Sequence, residues 1–491
     1  MSGSSPRKPL QRLNPLRGLD HPERVLAWGV FDLANQSFTL IINTLLFGLF
    51  VSAVVTGGAE WGGTAWSLMG SASLLAVVVV SPVLGALADA RAAKKKFLLA
   101  TGFACAGLTC ALALIPSGAS VGVWTAVAIA AALYVPANIA FNVGENFLAS
   151  FLPEIATRET VGRVSATGWT MGYVGALLLL GAMAALTRIL GVDVEASYRP
   201  LFVFAGLWFA VMMLPTALFL PEAARPVQRA AGVDARAHPL RAAVARLRRD
   251  LAEARTFRDL AALLAAFFVY GMGVQVIVFF GGLIAKEDFG FEITQMFLFV
   301  ATITVAAAAS AAGVAFVQDR IGHKRMILGM LTVWALTAAT LGTLTFLGAR
   351  RPEGDPLPVW PVWAAGIALG VGLGGVGTAT RAAVSSLTPA HRAAEFFGLW
   401  GATYKLAGVV GLPAFGVVRW AIGPTASFVV LGAFFVVGGA MLGRVRFARG
   451  HAAADASENE HAREIEADDI AALGGRWAPS SGPTSREGPP R

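Results

Sequence analysis

Asp319-Arg320-Ile321-Gly322-His323-Lys324-Arg325 lies between two long apolar runs, and it has an echo 230 residues earlier in Asp89-Ala90-Arg91-Ala92-Ala93-Lys94-Lys95. In each copy an Asp is followed at five and six residues by two bases. Apolar residues then resume, as Phe97-Leu98-Leu99 in the first copy and Ile327-Leu328 in the second. A second echo, offset by 236, pairs Pro153 with Pro389, Glu159 with Glu395, Gly162 with Gly398, Ala166-Thr167 with Ala402-Thr403, Gly172 with Gly408 and Gly175 with Gly411. Two offsets that nearly agree, both among hydrophobic stretches, make the chain two copies of one membrane-embedded unit. Duplicated halves of this kind enclose a solute path at their interface.

Composition agrees with lipid as the solvent. The 491 residues are 56% hydrophobic and only 14% charged, with a mean hydropathy of +0.65. A soluble domain carries about a quarter charged residues. The net charge of +9 sits in short connectors and forms no basic stripe interleaved with aromatics, so a nucleic-acid partner is not expected. Cys105 and Cys110 lie in one apolar run, face different directions on a helix and have no ligand partner nearby, which makes them packing residues. Met1 to Glu23 lacks the apolar core and small-residue cleavage site of a secretory signal.

Twelve apolar segments can be drawn, near 27–51, 66–88, 97–116, 122–150, 165–187, 200–220, 259–284, 293–317, 326–347, 359–384, 397–418 and 424–443. Each is long enough to cross a core of about 30 Å as a helix. The fold class read from this is an all-α membrane protein of 12 transmembrane helices in two pseudo-symmetric six-helix bundles, 27–220 and 259–443. A cytoplasmic N-terminal segment (1–26) precedes them, a basic linker (221–258) joins them and a polar tail (444–491) follows. Of the 39 Lys and Arg, 32 fall on the side of the termini, 6 on the other, and Lys405 lies within a segment. The positive-inside rule places both termini in the cytoplasm. Leu240, Val244, Leu247 and Leu251 in the linker have helical spacing among arginines, which reads as an amphipathic helix on anionic membrane lipid. The tail reads as disordered from its composition, with a short helix open over its acidic patch, Glu458 to Asp469.

Ionisable groups inside a bilayer are costly, about 2.5–3.5 kcal/mol each at mid-depth, and mark function. Asp32, Asn35, Gln36, Thr39 and Asn43 recur at helical spacing along one face of the first segment. Asn138, Asn142, Glu145 and Asn146 do the same on the fourth. The tenth aligns several glycines with Arg381, the eleventh carries Tyr404 and Lys405, and the seventh holds Gln275. Asp32, Glu145, Arg381 and Lys405 all fall in cytoplasmic halves, at a depth where two acids and two bases can form one ion-pair network. Two roles fit that network: a structural or gating device, or direct contact with substrate or proton. Asp32 and Glu145 are the candidates for coupling or gating, Arg381 and Lys405 for a substrate carboxylate. The paired loops (Asp89, Lys94, Lys95; Asp319, Arg320, Gly322, Lys324, Arg325) read as gating latches, since a carboxylate at a helix end accepts bonds from Arg or a helix N-terminus.

These residues carry a resemblance. Asp319 to Arg325 resembles the D-R-x-G-x-[KR]-[KR] signature of the major facilitator superfamily, from which the first-half copy departs at Ala90 and Ala92. Within it the chain resembles the autophagy-related vacuolar effluxers and their bacterial homologues. The matching stretches are Trp28 to Phe38, Phe151 to Ala156, Gly162 to Tyr173, Tyr270 to Gln275, Gly374 to Arg381, Glu395 to Gly398, and Lys405. Gly271-Met272 stands where many members carry Asn-Asp. The resemblance implies the major facilitator fold in a bacterial-type inner (plasma) membrane, alternating access by a monomer, no cofactor, and efflux of a small-molecule substrate, amino acids by analogy with fungal relatives, with proton coupling open. A multidrug or metabolite exporter and a non-transporting sensor are the rival readings. All six histidines lie in connectors or tails and no phosphate-binding G-x-x-x-x-G-K-[ST] loop occurs, so neither an intramembrane enzyme nor an ATP-driven pump is expected.

Overall fold

The computed structural model describes residues 21–156, 160–189, 191, 198–222, 257–352 and 358–474. Twelve of the described helices are long and apolar enough to cross a membrane. They are α1 (Pro22–Val55), α2 (Gly62–Ala90), α3 (Lys94–Leu114), α4 (Val123–Ser150), α5 (Val161–Ile189), α6 (Arg199–Phe219), α7 (Arg258–Asp288), α8 (Ile293–Ile321), α9 (His323–Gly348), α10 (Trp360–Ser386), α11 (Ala393–Ala421) and α12 (Pro424–Gly443). A thirteenth, α13 (Phe447–Gly474), follows. Local signals explain several boundaries: Pro22 and Pro424 sit in the first turn of α1 and α12, where a missing N–H costs nothing, and Glu292 and Gln295 form a capping box on α8.

Helices α1–α6 pack chiefly on one another, as α3 on α4, α3 on α6, α2 on α4 and α1 on α5. The second half repeats the arrangement with α9 on α10, α9 on α12, α8 on α10 and α7 on α11. Among the described residues the halves meet chiefly through α1 with α7, α2 with α11 and α5 with α8, and α2 also touches α7. The end of the bundle carrying Pro22 and α13 is called here the terminal side, and the opposite end the far side.

The far side is closed. Thr64 Oγ1 donates to Gly416 O at 2.9 Å, Trp66 Nε1 to Phe279 O at 2.8 Å and Ser71 Oγ to Val409 O at 2.7 Å, each bond crossing between halves. Gly282 on α7 lies so close to α1 that a Cβ there would fall 2.3 Å from Leu45 O. Only glycine permits that approach.

Two elements differ from the sequence reading. α1 extends past both ends of the 27–51 run and is wound as π-helix over Ser37–Leu46 and Val51–Val55. The tail read as disordered is helical over Phe447–Gly474. Composition misled there because anchors outside the tail hold it. Arg449 makes a two-pronged ion pair with buried Asp259 of α7 (2.6 and 2.9 Å), and the N–H of Arg446 donates to the same carboxylate at 2.8 Å. The amphipathic helix expected around 240–251 lies outside the described residues.

Candidate functional site

The polar stripe of α1 divides between two neighbours. Asn35 and Asn43 turn towards α4, where the Asn35 amide donates to Glu145 Oε1 and Asn43 Nδ2 donates to Asn138 Oδ1 at 3.3 Å. Asp32 and Gln36 turn towards α5, beside Gly168 and Gly172. The change of winding after Gln36 alters the angular step per residue, so the face drawn at 100° per residue does not persist to Asn43. Thr39, half-buried, contributes its carbonyl to Thr44 Oγ1 at 2.9 Å.

A directed hydrogen-bond chain continues through the first half. Tyr134 OH donates to Asn43 Oδ1 (2.9 Å), Asn138 Nδ2 to Ser73 Oγ (2.6 Å), and Asn142 Nδ2 to the Asn138 carbonyl (2.9 Å). Asn43, Asn138, Tyr134 and Ser73 are all buried. Satisfied buried networks of this kind fix helix positions, because breaking one leaves a desolvated group unpaired. Asn146 leaves the cluster: it is exposed and donates to Ser81 on α2. Tyr134, Ser73 and Ser81 were not among the residues expected from sequence, since isolated hydroxyls in apolar runs carry no periodic signal.

The four charged residues come together across the halves. Asp32 of α1 lies within electrostatic reach of Glu145 of α4 and of Arg381 of α10, and Glu145 within reach of Lys405 of α11. Asn35 sits between the two acids. No two of the four form a direct ion pair among the described residues, so the expected ion-pair network is an open array. Asp32, Gln36, Asn142, Glu145, Arg381 and Lys405 are each half-buried, which outlines a polar cleft between the halves on the terminal side.

The cleft's second wall is aromatic. The Arg381 guanidinium lies 5.3 Å from the ring centre of Trp169 and 5.8 Å from that of Trp400, and Nη1 donates to Ser165 Oγ at 3.4 Å. Trp400 stacks on Phe267, which stacks in turn on Tyr404. Gln275, buried, donates to the Tyr404 carbonyl at 3.1 Å and serves as a bond between α7 and α11. The glycines of the tenth segment serve packing at Gly374, which abuts the α8 backbone at Ala307. Trp169, Trp400 and Ser165 were missed by sequence reasoning, although the first and last fall inside the Gly162-to-Tyr173 stretch.

At the paired loops the side chain of one base in each copy has partners among the described residues. Lys94 Nζ pairs with Glu154 at 2.8 Å, and the Lys95 backbone N–H donates to Glu222 at 2.8 Å. Lys324 Nζ donates to the carbonyls of Gly443 (2.7 Å) and Val445 (2.9 Å), closing the C-terminal end of α12. Arg320 and Arg325 are exposed. The Asp89 and Asp319 side chains lie outside the described ones. Gly322 has φ +85°, and Ala92, its counterpart, has φ +46°.

The far side holds a charged cluster that the sequence did not single out. Arg419 of α11 grips Asp288 of α7 with two bonds of 2.8 and 2.6 Å and reaches Glu287 at 3.2 Å. Ser52 of α1 donates to Glu287 Oε1 at 2.8 Å. Ser52, Glu287 and Arg419 line a small cavity of about 190 Å³ with Glu60, Thr64 and Trp420.

Comparison with known proteins follows the same lines. Residues 54–455 match the family model described as "Vacuole effluxer Atg22 like". YxiO of Bacillus subtilis (strain 168), described as an uncharacterized MFS-type transporter, is 22% identical over 427 residues, spanning 84% of this chain and 92% of that protein. Autophagy-related protein 22 of Coccidioides immitis (strain RS) is 28% identical over 290 residues, spanning 55% of this chain and 47% of its own length. In structure, a D-xylose-proton symporter superposes with a TM-score of 0.66 at 15% identity, over 87% of this chain and 98% of its own. The human organic anion transporter MFSD10 (TETRAN) gives 0.59 at 16% identity, over 86% and 99%. At such identities the structural likeness is one of fold.

Proposed function

We propose that this chain, which belongs to the vacuole effluxer Atg22-like family and is a multi-pass MFS-type transporter, exports a small solute carrying a carboxylate, with amino acids as the leading class. One observation carries the reading: two acids and two bases from opposite halves face one half-buried cleft without neutralising one another directly. An anionic group entering the cleft meets Arg381 and Lys405, and an ammonium group or a proton meets Asp32 and Glu145. Charged groups held short of full pairing in a low-dielectric cleft gain from a ligand that completes them. Gating fits the same frame. The far side is sealed by α1–α7 and α2–α11 contacts, while the cleft lies on the terminal side, taken from the Lys and Arg asymmetry as cytoplasmic. Rocking of the two halves about their interface then exposes the cleft to the other face.

The test is counterflow in proteoliposomes with labelled amino acids, run beside Asp32→Asn and Arg381→Ala. Flux of some amino acids by the wild type, lost in both variants while each remains folded, supports the reading. Flux that survives Arg381→Ala removes that residue from the substrate path. Absence of counterflow for every amino acid overturns the substrate class and directs the screen to other carboxylates and to drugs.

A further inference from the structure

Arg381 is short of hydrogen-bond partners for a half-buried guanidinium. It has five N–H donors, yet among the described residues it makes one hydrogen bond, the 3.4 Å contact to Ser165. Asp32 lies within electrostatic reach without bonding to it, and its close neighbours are two indoles, Trp169 from the first half and Trp400 from the second. Cation–π contacts engage the positive charge through the ring faces and leave the in-plane donors free. The two rings are held very differently. Trp400 is braced by its stack on Phe267, and its Nε1 is buried without a partner among the described residues. Trp169 is 52% exposed.

We infer that Trp169 and Trp400 are specificity-determining residues that clamp the Arg381 guanidinium and present its donor edge to the cleft, selecting a planar carboxylate over tetrahedral anions. The inference rests on the proposed role of Arg381 as the anion's partner. A guanidinium fixed in its plane offers two parallel N–H groups at the spacing of carboxylate oxygens. A guanidinium free to tumble offers only charge, which a tetrahedral anion satisfies equally well. Because one jaw belongs to each half, the clamp is complete only while α5 stays beside α10 and α11. An arrangement that separates them loosens the hold on the carboxylate, and that difference in affinity between states is what lets a ligand drive a conformational change.

The experiment uses the purified full-length chain and two probes of equal charge, sodium acetate (planar) and sodium methanesulfonate (tetrahedral), titrated at constant ionic strength against the thermal unfolding midpoint. For the wild type, acetate acts at a concentration roughly tenfold below methanesulfonate. Trp169→Ala erases that preference while both anions still bind, Trp169→Phe keeps it, and Arg381→Ala removes both responses. If the acetate preference persists in Trp169→Ala and in Trp400→Ala but is lost in Arg381→Ala, the clamp is wrong and the anion site stands. If Arg381→Ala leaves the acetate response intact, or the wild type shows none, the clamp and the proposed role of Arg381 fall together. Trp169, being more than half exposed, is the variant least able to disturb folding and carries the test if Trp400→Ala does not fold.

Discussion

Ala92 holds a backbone conformation that its side chain opposes. At φ +46° the Cβ crowds the following carbonyl, at a cost of about 1–2 kcal/mol. Gly322, at the matching place in the second half, takes φ +85° and ψ 148° without a Cβ. Each of these matching residues takes a positive φ, one with a Cβ and one without, so substituting them has opposite effects. Ala92→Gly is expected to stabilise by roughly 0.5–1 kcal/mol, less than the strain relieved because glycine also loosens the unfolded chain. Gly322→Ala is expected to destabilise by about 1–3 kcal/mol, since its region of the map belongs almost wholly to glycine. Thermal unfolding midpoints of the two variants, rising for the first and falling for the second, check both. The same residues show what a motif reveals: the departure at Ala92 was visible in the sequence, but that its backbone nevertheless takes a positive φ was not. Arg381 and Lys405 were legible because charge in an apolar run stands out. Trp169 and Trp400 were not, because an indole in a membrane helix looks like any other apolar residue until a cation is placed against it.

At the scale of helices, apolar length located all twelve spans, because a segment that must satisfy its own backbone in lipid has few alternatives to a helix. Winding was less legible. Nothing in Ser37–Leu46 announces a π-helix; the segment packs on α6 and α7 and bonds to α4 through Asn43, partners supplied from far along the chain. The result is that Asn43 joins the buried Tyr134–Asn138 network while Asp32 faces the cleft. The tail taught a similar lesson. Its own composition is polar, and its order comes from Asp259, a carboxylate only 2% exposed in its side chain, gripping the largely exposed Arg449. Arg449→Ala leaves that carboxylate with the Arg446 N–H alone, and a buried acceptor deprived of a charged partner costs about 1–3 kcal/mol. The expected outcome is faster amide hydrogen exchange along α13, with the α7 core unchanged. Exchange in α13 that stays at its wild-type rate would show that the apolar contacts of Val445 and Gly450 hold the helix without the ion pair.

At the scale of the whole molecule, the two halves are held at the far side by contacts of unequal kind. The bonds at Thr64, Trp66 and Ser71 end on backbone carbonyls buried between helices, and Gly282 allows direct backbone contact. The Arg419–Asp288 pair lies within the second half, with side chains 9% and 3% exposed, and its loss would unfold more than it would open. Ser52 to Glu287 is different: it crosses between halves, ends on side chains and lies at the rim. It is therefore the bond that can break first without damaging either bundle. A hydrogen bond to a charged group is worth about 1.5–3 kcal/mol when buried and less at an exposed rim. Loss of about 1.4 kcal/mol shifts a two-state equilibrium tenfold. Ser52→Ala is accordingly expected to raise the far-side-open population by up to about tenfold, and Glu287→Gln by less, since an amide still accepts from the serine. Spin labels on cysteines placed at Glu60 and Ile422, with Cys110 replaced by serine, report the separation of the two halves at that rim. A longer-distance component that grows in Ser52→Ala, and grows no further when Glu287→Gln is added, identifies this bond as the latch. Distance distributions identical in the parent and in both variants would place the closure in the backbone contacts of α2 with α11 and of α1 with α7 instead.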